Sequence, residues 1–298
     1  VSAANLSDIY TSFWVLGDSL SDDGSNVGKF TDGRVWNEPI LNEFGDLRSG
    51  NYAYSGATAG LNRVQGEPDT TTPATDDISF ITDLAGQVDE LVTTEKRNFG
   101  DKPLVALWIG GNDIGAFELG LPFVETVGAY KKAIFDLTIS GVNDFLVFDV
   151  PNVGFTPRVQ GLEDKPLKQI LADALPGGLA AQALNASFKA ARNSLSDANF
   201  TLIDTFDLTQ SAYLAPEFFG LDRRGPCTIK EDDAPREKLD DCDETTFWDP
   251  FHPTSTLHEY VEDEVYDAFD VTAVPLPAAA FLLIGSLLGL GIMRRRSV

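Results

Sequence analysis

Four short apolar runs, each stopped by Gly, Pro or Asp, constrain what this chain can fold into more than any other feature. They occupy residues 13–16 before Gly17, 104–109 before Gly110 and Gly111, 145–150 before Pro151, and 200–203 before Asp204. Runs this short and this apolar, interrupted only by Asp149 and Thr201, suit strands covered on both faces, as in a parallel sheet, rather than strands with one wet face. Tyr52, Ala53 and Tyr54 form a shorter candidate strand. Between the runs lie amphipathic stretches. Residues 77–93 place Ile78, Ile81, Leu84, Ala85, Val88, Leu91 and Val92 on one helical face, residues 122–142 and 179–198 repeat the pattern, and 254–269 supply a last helix. Strand–helix alternation with parallel crossovers predicts a three-layer α/β/α sandwich around a five-stranded parallel sheet. Ligands of such a fold bind beyond the carboxyl ends of the strands. Residues 66–77 and 222–247 read as polar, loop-like insertions.

The chain has 298 residues, 43% of them hydrophobic, which is ample for a sizeable core. Its 22 basic side chains face 46 acidic ones, a formal charge of −24. Nucleic acid is excluded as a partner, because phosphate binding needs clustered cations. Strong attraction to an anionic membrane surface is excluded for the same reason. With the three Arg of the last 25 residues set aside, residues 1–273 hold 19 basic against 46 acidic side chains, so the body is more acidic still.

Those last residues form a separate unit. Residues 276–293 contain no charge, and Arg294, Arg295 and Arg296 follow directly. An apolar helix of that length reaches roughly 27 Å, enough to span a bilayer, with the Arg cluster held on the cytoplasmic side. The order Val274-Pro275-Leu276-Pro277-Ala278-Ala279, apolar helix, Arg cluster resembles the VPLPA variant of the PEP-CTERM sorting signal. That resemblance implies export from a Gram-negative cell, processing of the tail by an exosortase-type enzyme, and a membrane anchor until processing. The expected division is therefore a domain at 1–273 and a sorting tail with a transmembrane helix at 274–298. The chain opens at Val1, with Met293 its only methionine, and reads as already processed or trimmed. Cys227 and Cys242 are the only cysteines. In an exported chain they read as one disulfide, and neither CxxC nor zinc-ligand spacing is present.

The chemistry gathers at the strand ends. Gly17-Asp18-Ser19-Leu20-Ser21-Asp22 follows the first run, which puts the Ser19 hydroxyl at the rim of the sheet near a helix start. Of the two histidines, His252 lies in Asp249-Pro250-Phe251-His252-Pro253, where Asp249 is close enough in sequence to orient it. A serine nucleophile needs such a base, and the base such a carboxylate. His258 sits beside Glu259 on an acidic helix and is expected to face solvent. Two further strand ends offer donors for an oxyanion: the Gly56 backbone N–H in residues 51–57, and the Asn112 side chain in Ile109-Gly110-Gly111-Asn112-Asp113. Taken singly, each has a plainer reading. Ser19 and Asn112 would serve as helix caps, and Gly110-Gly111 as a turn.

Together, in this order, the Gly17–Asp22, Gly56, Ile109–Asp113 and Asp249–Pro253 segments resemble the four blocks of the GDSL family of SGNH hydrolases. Residues 147–154 (Val-Phe-Asp-Val-Pro-Asn-Val-Gly) resemble a further strand-end block of that family with no catalytic role. The resemblance implies a flavodoxin-like fold over residues 13–268. It also implies a catalytic set of Ser19, His252 and Asp249, and an oxyanion hole of the Ser19 amide, Gly56 and Asn112. The cysteine pair ahead of the last block recurs in some extracellular branches, which supports the disulfide. No cofactor or metal is implied: GxSxG, GxGxxG, the P-loop, HExxH and EF-hand patterns are all missing. The expected activity is cleavage of acyl esters by a serine esterase or lipase. An acyltransferase or polysaccharide O-deacetylase using the same site, and a non-catalytic surface or matrix protein, are the alternatives. Trp36, Phe117, Phe123, Phe155, Phe218 and Phe219 are candidates for an acyl groove, or else ordinary core and loop anchors.

Overall fold

The computed structural model describes residues 5–65, 80–118, 123–161, 165–229, 237–238, 242 and 244–271. Its centre is a parallel sheet of β1 (Ser12–Gly17), β2 (Ser49–Asn51), β3 (Pro103–Trp108), β4 (Asp144–Phe148) and β5 (Asn199–Ile203), in the order β2-β1-β3-β4-β5. The helices are α1 (Leu6–Ile9), α2 (Glu38–Phe44), α3 (Leu84–Glu95), α4 (Gly111–Glu118), α5 (Phe123–Ile139), α6 (Pro157–Gln160), α7 (Leu167–Asn193), α8 (Thr205–Leu214) and α9 (Ser255–Ala268). Strand order reverses between β1 and β3. At such a switch point the connections leave in opposite directions and open a crevice at the carboxyl edge.

Period-two alternation explains the layers. Trp14, Leu16, Val105, Leu107, Phe145 and Val147 join one buried cluster with Leu84, Val88, Ile134, Leu184 and Phe188 of α3, α5 and α7. Their neighbours Phe13, Val15, Leu104, Ala106, Leu146 and Phe148 join the other, with Leu6, Ile40, Phe44, Val261 and Val265 of α1, α2 and α9. All six residues of β1 and all six of β3 are buried, which is why those runs carry no polar alternation. The predicted five-stranded, three-layer arrangement is therefore present.

Boundaries differ where tertiary contacts override local pattern. The second strand is Ser49-Gly50-Asn51 rather than residues 52–54. A β-carbon on Gly50 would lie 3.1 Å from the Trp14 ring, so close approach to β1 selects glycine there. Asn51 then accepts a hydrogen bond from the Ala53 amide at 2.9 Å and turns the chain out of the sheet. α3 begins at Leu84, because Asp83 before it spends its carboxylate on Thr58 and Arg63 instead of continuing a helix. α7 begins twelve residues before the expected Leu179 and runs through Pro176-Gly177-Gly178. Those glycines lie against the 152–154 turn, and a β-carbon on Gly154 would sit 2.1 Å from the Ala174 carbonyl oxygen. The 222–247 insertion is partly ordered as strands: β6 (Arg223–Pro226) pairs in parallel with β9 (Thr245–Phe247), and β7 (Thr228–Ile229) antiparallel with β8 (Glu237–Lys238). Among the described residues no helix is long and apolar enough to cross a membrane. The expected tail helix and the insertion at 66–77 lie outside them.

His258 is not on the solvent side. It is buried on the face of α9 that also carries Val261 and Val265, one helical step round from the exposed Glu259. A charged neighbour in sequence says little about a face, since successive residues point about 100° apart. Burial first, then the positive potential of His252 and Lys29, pushes the His258 imidazole down to about 3. Below pH 6.5, the ordinary value, the unfolded chain binds a proton there that the folded one refuses until about pH 3. His258 therefore contributes fully above pH 6.5 and progressively less as the pH falls toward 3. Urea titrations at pH 7 and 4.5 should show a smaller loss of stability on acidification in His258→Leu than in wild type. An unchanged pH dependence would contradict this placement.

Candidate active site

The site forms where β1 and β3 end side by side. Gly17 pairs with Trp108 across the two strands, and a β-carbon on Gly17 would lie 2.3 Å from the Trp108 carbonyl oxygen, so no larger residue fits. The chain then turns sharply. The Ser21 and Asp22 amides both donate to the Asp18 carbonyl at 3.0 Å, which leaves Ser19 half-buried at the top of the turn. Asp18 is buried, and its carboxyl accepts from the Leu20 amide at 3.0 Å. Burial, against that hydrogen bond and with the nearby Asp113 charge, raises Asp18 to about 7.

His252 reaches this turn from the far end of the sequence. Its Nε2 lies 2.7 Å from Ser19 Oγ, and its Nδ1 is 2.8 Å from each oxygen of Asp249. The Asp249 carboxylate also accepts from the Phe251 and His252 amides at 2.8 and 2.9 Å, so one acid shapes the loop and holds the ring. Burial pushes the Asp249 carboxyl up. The His252 hydrogen bond and charge, with those two amides, outweigh it and hold the group below its ordinary range. The Phe30 ring packs on the imidazole with centroids 4.9 Å apart, a contact that nothing local in the sequence announces.

Two structures carry the His252 loop. Below it, the Cys227 amide donates to Phe247 at 2.8 Å and the Thr228 amide to Trp248 at 2.8 Å, which fastens the loop's base to the β6–β9 pair. The Cys227–Cys242 disulfide, with Cα atoms 5.2 Å apart, ties that pair to residue 242, whose carbonyl accepts from the Thr245 amide at 3.0 Å. Beside it, the Arg158 amide donates to Pro250 at 2.9 Å.

Gly56 and Asn112 come together at the neighbouring strand ends. Gly56 has φ +86°, and a β-carbon there would meet Ile81 at 2.8 Å. Asn112, in the first turn of α4, donates its side-chain amide to the Ala57 carbonyl at 2.9 Å. Three buried acids hold these loops by collecting backbone amides. Asp22 accepts from Gly24 at 2.9 Å and from Ser55 at 3.0 Å. Asp113 accepts from Ala59 and Gly60, both at 2.9 Å. Asp83 accepts from the Thr58 and Arg63 amides and pairs with the Arg63 guanidinium, which in turn donates to the Gly56 carbonyl at 2.9 Å. Sequence reading passed over Asp83 and Arg63 because their role depends on contacts only folding creates. Asp22 and Asp113 lay inside quoted blocks without an assigned task.

The six aromatic candidates scatter. Trp36 and Phe155 are core residues, Phe123 is packed against the core, Phe219 meets Tyr260, and Phe218 is exposed. The Phe117 side chain lies outside the described residues.

The structure is thus an α/β protein with a parallel sheet in the 2-1-3-4-5 order and a hydrogen-bonded line of Asp249, His252 and Ser19 at its switch point. The profile of the family described as GDSL-like lipase/acylhydrolase matches residues 14–265. The chain belongs to that family. It is 26% identical over 283 residues to the thermolabile hemolysin of Vibrio parahaemolyticus, covering 85% of this chain and 62% of that protein. It is 28% identical over 180 residues to the phosphatidylcholine-sterol acyltransferase of Aeromonas hydrophila, covering 54% of this chain and 50% of that one. This chain thus spans between half and about two thirds of the length of these two relatives. Among solved structures, a GDSL-like lipase from Bacteroides thetaiotaomicron superposes with a TM-score of 0.43 at 14% identity, over 87% of this chain and 88% of that one.

Because the disulfide closes the base of the His252 loop, the double substitution Cys227→Ala/Cys242→Ala should cost about 3 kcal/mol of stability by the loop-entropy relation. Urea unfolding measures this directly. Loss of less than about 0.5 kcal/mol would show that the bridge does not brace the loop.

Proposed function

We propose that the chain is a serine ester hydrolase in which Ser19 is the nucleophile, His252 the general base and Asp249 the group that orients it. The observation carrying this reading is the unbroken line from Asp249 through both nitrogens of His252 to Ser19 Oγ, with no step longer than 2.8 Å. Ser19 Oγ attacks the acyl carbonyl while its proton passes to His252 Nε2. The Ser19 amide, the Gly56 N–H and the Asn112 side-chain amide stabilise the resulting oxyanion. His252 returns the proton to the departing alcohol, which leaves an acyl-serine. Water, deprotonated by the same imidazole, then releases the acid and restores the enzyme.

The disulfide supports work in an oxidising compartment, which agrees with an exported protein. Sorting and anchoring through residues 274–298, with exosortase-type processing, belong to the same reading and rest on the tail's sequence pattern.

A second outcome at the same site is transfer of the acyl group to an alcohol other than water. Its support is the relative described as phosphatidylcholine-sterol acyltransferase. Product analysis with a competing alcohol separates the two outcomes: transfer yields a new ester, hydrolysis only acid.

Ser19→Ala should lower the rate on soluble esters by at least about 10³-fold, and Asp249→Asn, whose side-chain oxygen can still accept the Phe251 and His252 amides, by a similar order. Retained activity in Ser19→Ala would refute the assignment.

A further inference from the structure

α7 is far longer than the strands it covers. Its 27 residues extend about 40 Å, whereas β4, from which the chain crosses over through α7, has only five. Ala181, Leu184, Phe188 and Ala191, in its second half, pack on the sheet. Ile170 and Ala174, in its first half, pack instead on Phe155, Tyr213 and Phe247, beyond the strand ends. A crossover helix runs antiparallel to its strands, so this first half overhangs the carboxyl edge that carries Ser19 and His252.

The outer side of the overhang is a ridge of leucine. Leu167, Leu171, Leu175 and Leu179 recur every fourth residue and are 59%, 48%, 59% and 56% exposed. Each is rotated about 40° from the last, so together they form one continuous stripe. Val159 on α6, which packs on α7, and Phe251, next to His252, are also exposed. Arg158 links those two: its guanidinium lies 5.8 Å from the Phe251 ring, and its amide holds Pro250. The apolar surface thus extends from α7 toward the residue that faces the Ser19 hydroxyl.

Charge narrows the occupant. Residues 174–186 contain no ionisable side chain. The exposed Lys168, whose helical angle falls among the leucines, is the one ionisable side chain on this face of the first half of α7, with a stem that can lie along apolar surface. A chain of net charge −24 whose apolar ridge carries a single lysine is repelled as a whole by anionic surfaces and by its own copies, but not by a neutral one. We propose that this ridge docks the protein on a lipid surface of zwitterionic or uncharged headgroups and brings acyl esters there to Ser19. The delivery step rests on the ester-hydrolase reading; the docking step does not.

The test uses the full chain in two measurements. A polarity-sensitive dye on Leu175→Cys should shift to the blue when phosphatidylcholine vesicles are added, less so when the vesicles contain phosphatidylglycerol. The same dye on Asp263→Cys, on the exposed side of α9, should stay unshifted. In parallel, Leu171→Gln/Leu175→Gln/Leu179→Gln, exposed and helix-compatible, should lose about tenfold or more of its rate on phosphatidylcholine vesicles. Its rate on a water-soluble acetyl ester should stay within about twofold, since the ridge does not touch the reacting atoms. No dye shift with vesicles, equal shifts at both positions, or a shift that grows with protein concentration alone would overturn docking; the last would identify a second copy as the occupant. Wild-type inactivity on both esters would instead defeat the ester-hydrolase reading, with the dye still reporting on the surface.

Discussion

The six-residue register between β1 and β3, from Ser12 opposite Pro103 to Gly17 opposite Trp108, is the constraint on which the site depends. Both strands are buried along their whole length, so neither can slip by one residue without sending every side chain into the wrong layer. That register brings the ends of the two strands level. It places the Ser19 turn and the start of α4 beside each other, and the closeness of Gly17 to the Trp108 carbonyl leaves no room to alter it.

Above the sheet, order passes from strand pairing to buried acids. Asp22, Asp83, Asp113 and Asp249 each accept several hydrogen bonds, chiefly from backbone amides of loops that have no ladder of their own. Buried carboxylates are costly unless so satisfied, and a satisfied one can define a loop as firmly as secondary structure does. The net negative charge of the chain therefore has an internal as well as an external side. Some acids keep the surface anionic, while these four hold the residues around Ser19.

The two covers of the site differ in kind. The His252 loop is fastened to the small β6–β9 pair and to the disulfide, so the imidazole is supported by a module outside the main sheet. The overhanging half of α7 is supported only by its inner face, where glycines permit close contact with the 152–154 turn. Its outer face is free to be shaped by what the protein meets.

Much of this was legible in the residues. Apolar runs ending at Gly17 and Gly110 announced strands, because only a covered strand tolerates so unbroken an apolar stretch. The run ending at Asp204 also forms a strand, but as a sheet edge it leaves Leu202 exposed and is not covered on both faces as expected. Ser19, His252, Asp249, Gly56 and Asn112 were legible as an ordered set, because turn and loop chemistry leaves local marks. Burial of His258 was not, nor were the stack of Phe30 on the imidazole, the Asp83–Arg63 pair or the continuation of α7 through Pro176. By itself the sequence determined the layers and the list of candidate site residues, since periodicity and loop composition are properties of neighbouring positions. Only the tertiary structure decided that Ser19 and His252, 233 residues apart, lie 2.7 Å from each other, because such proximity depends on strand register and amide-binding acids distant in the chain.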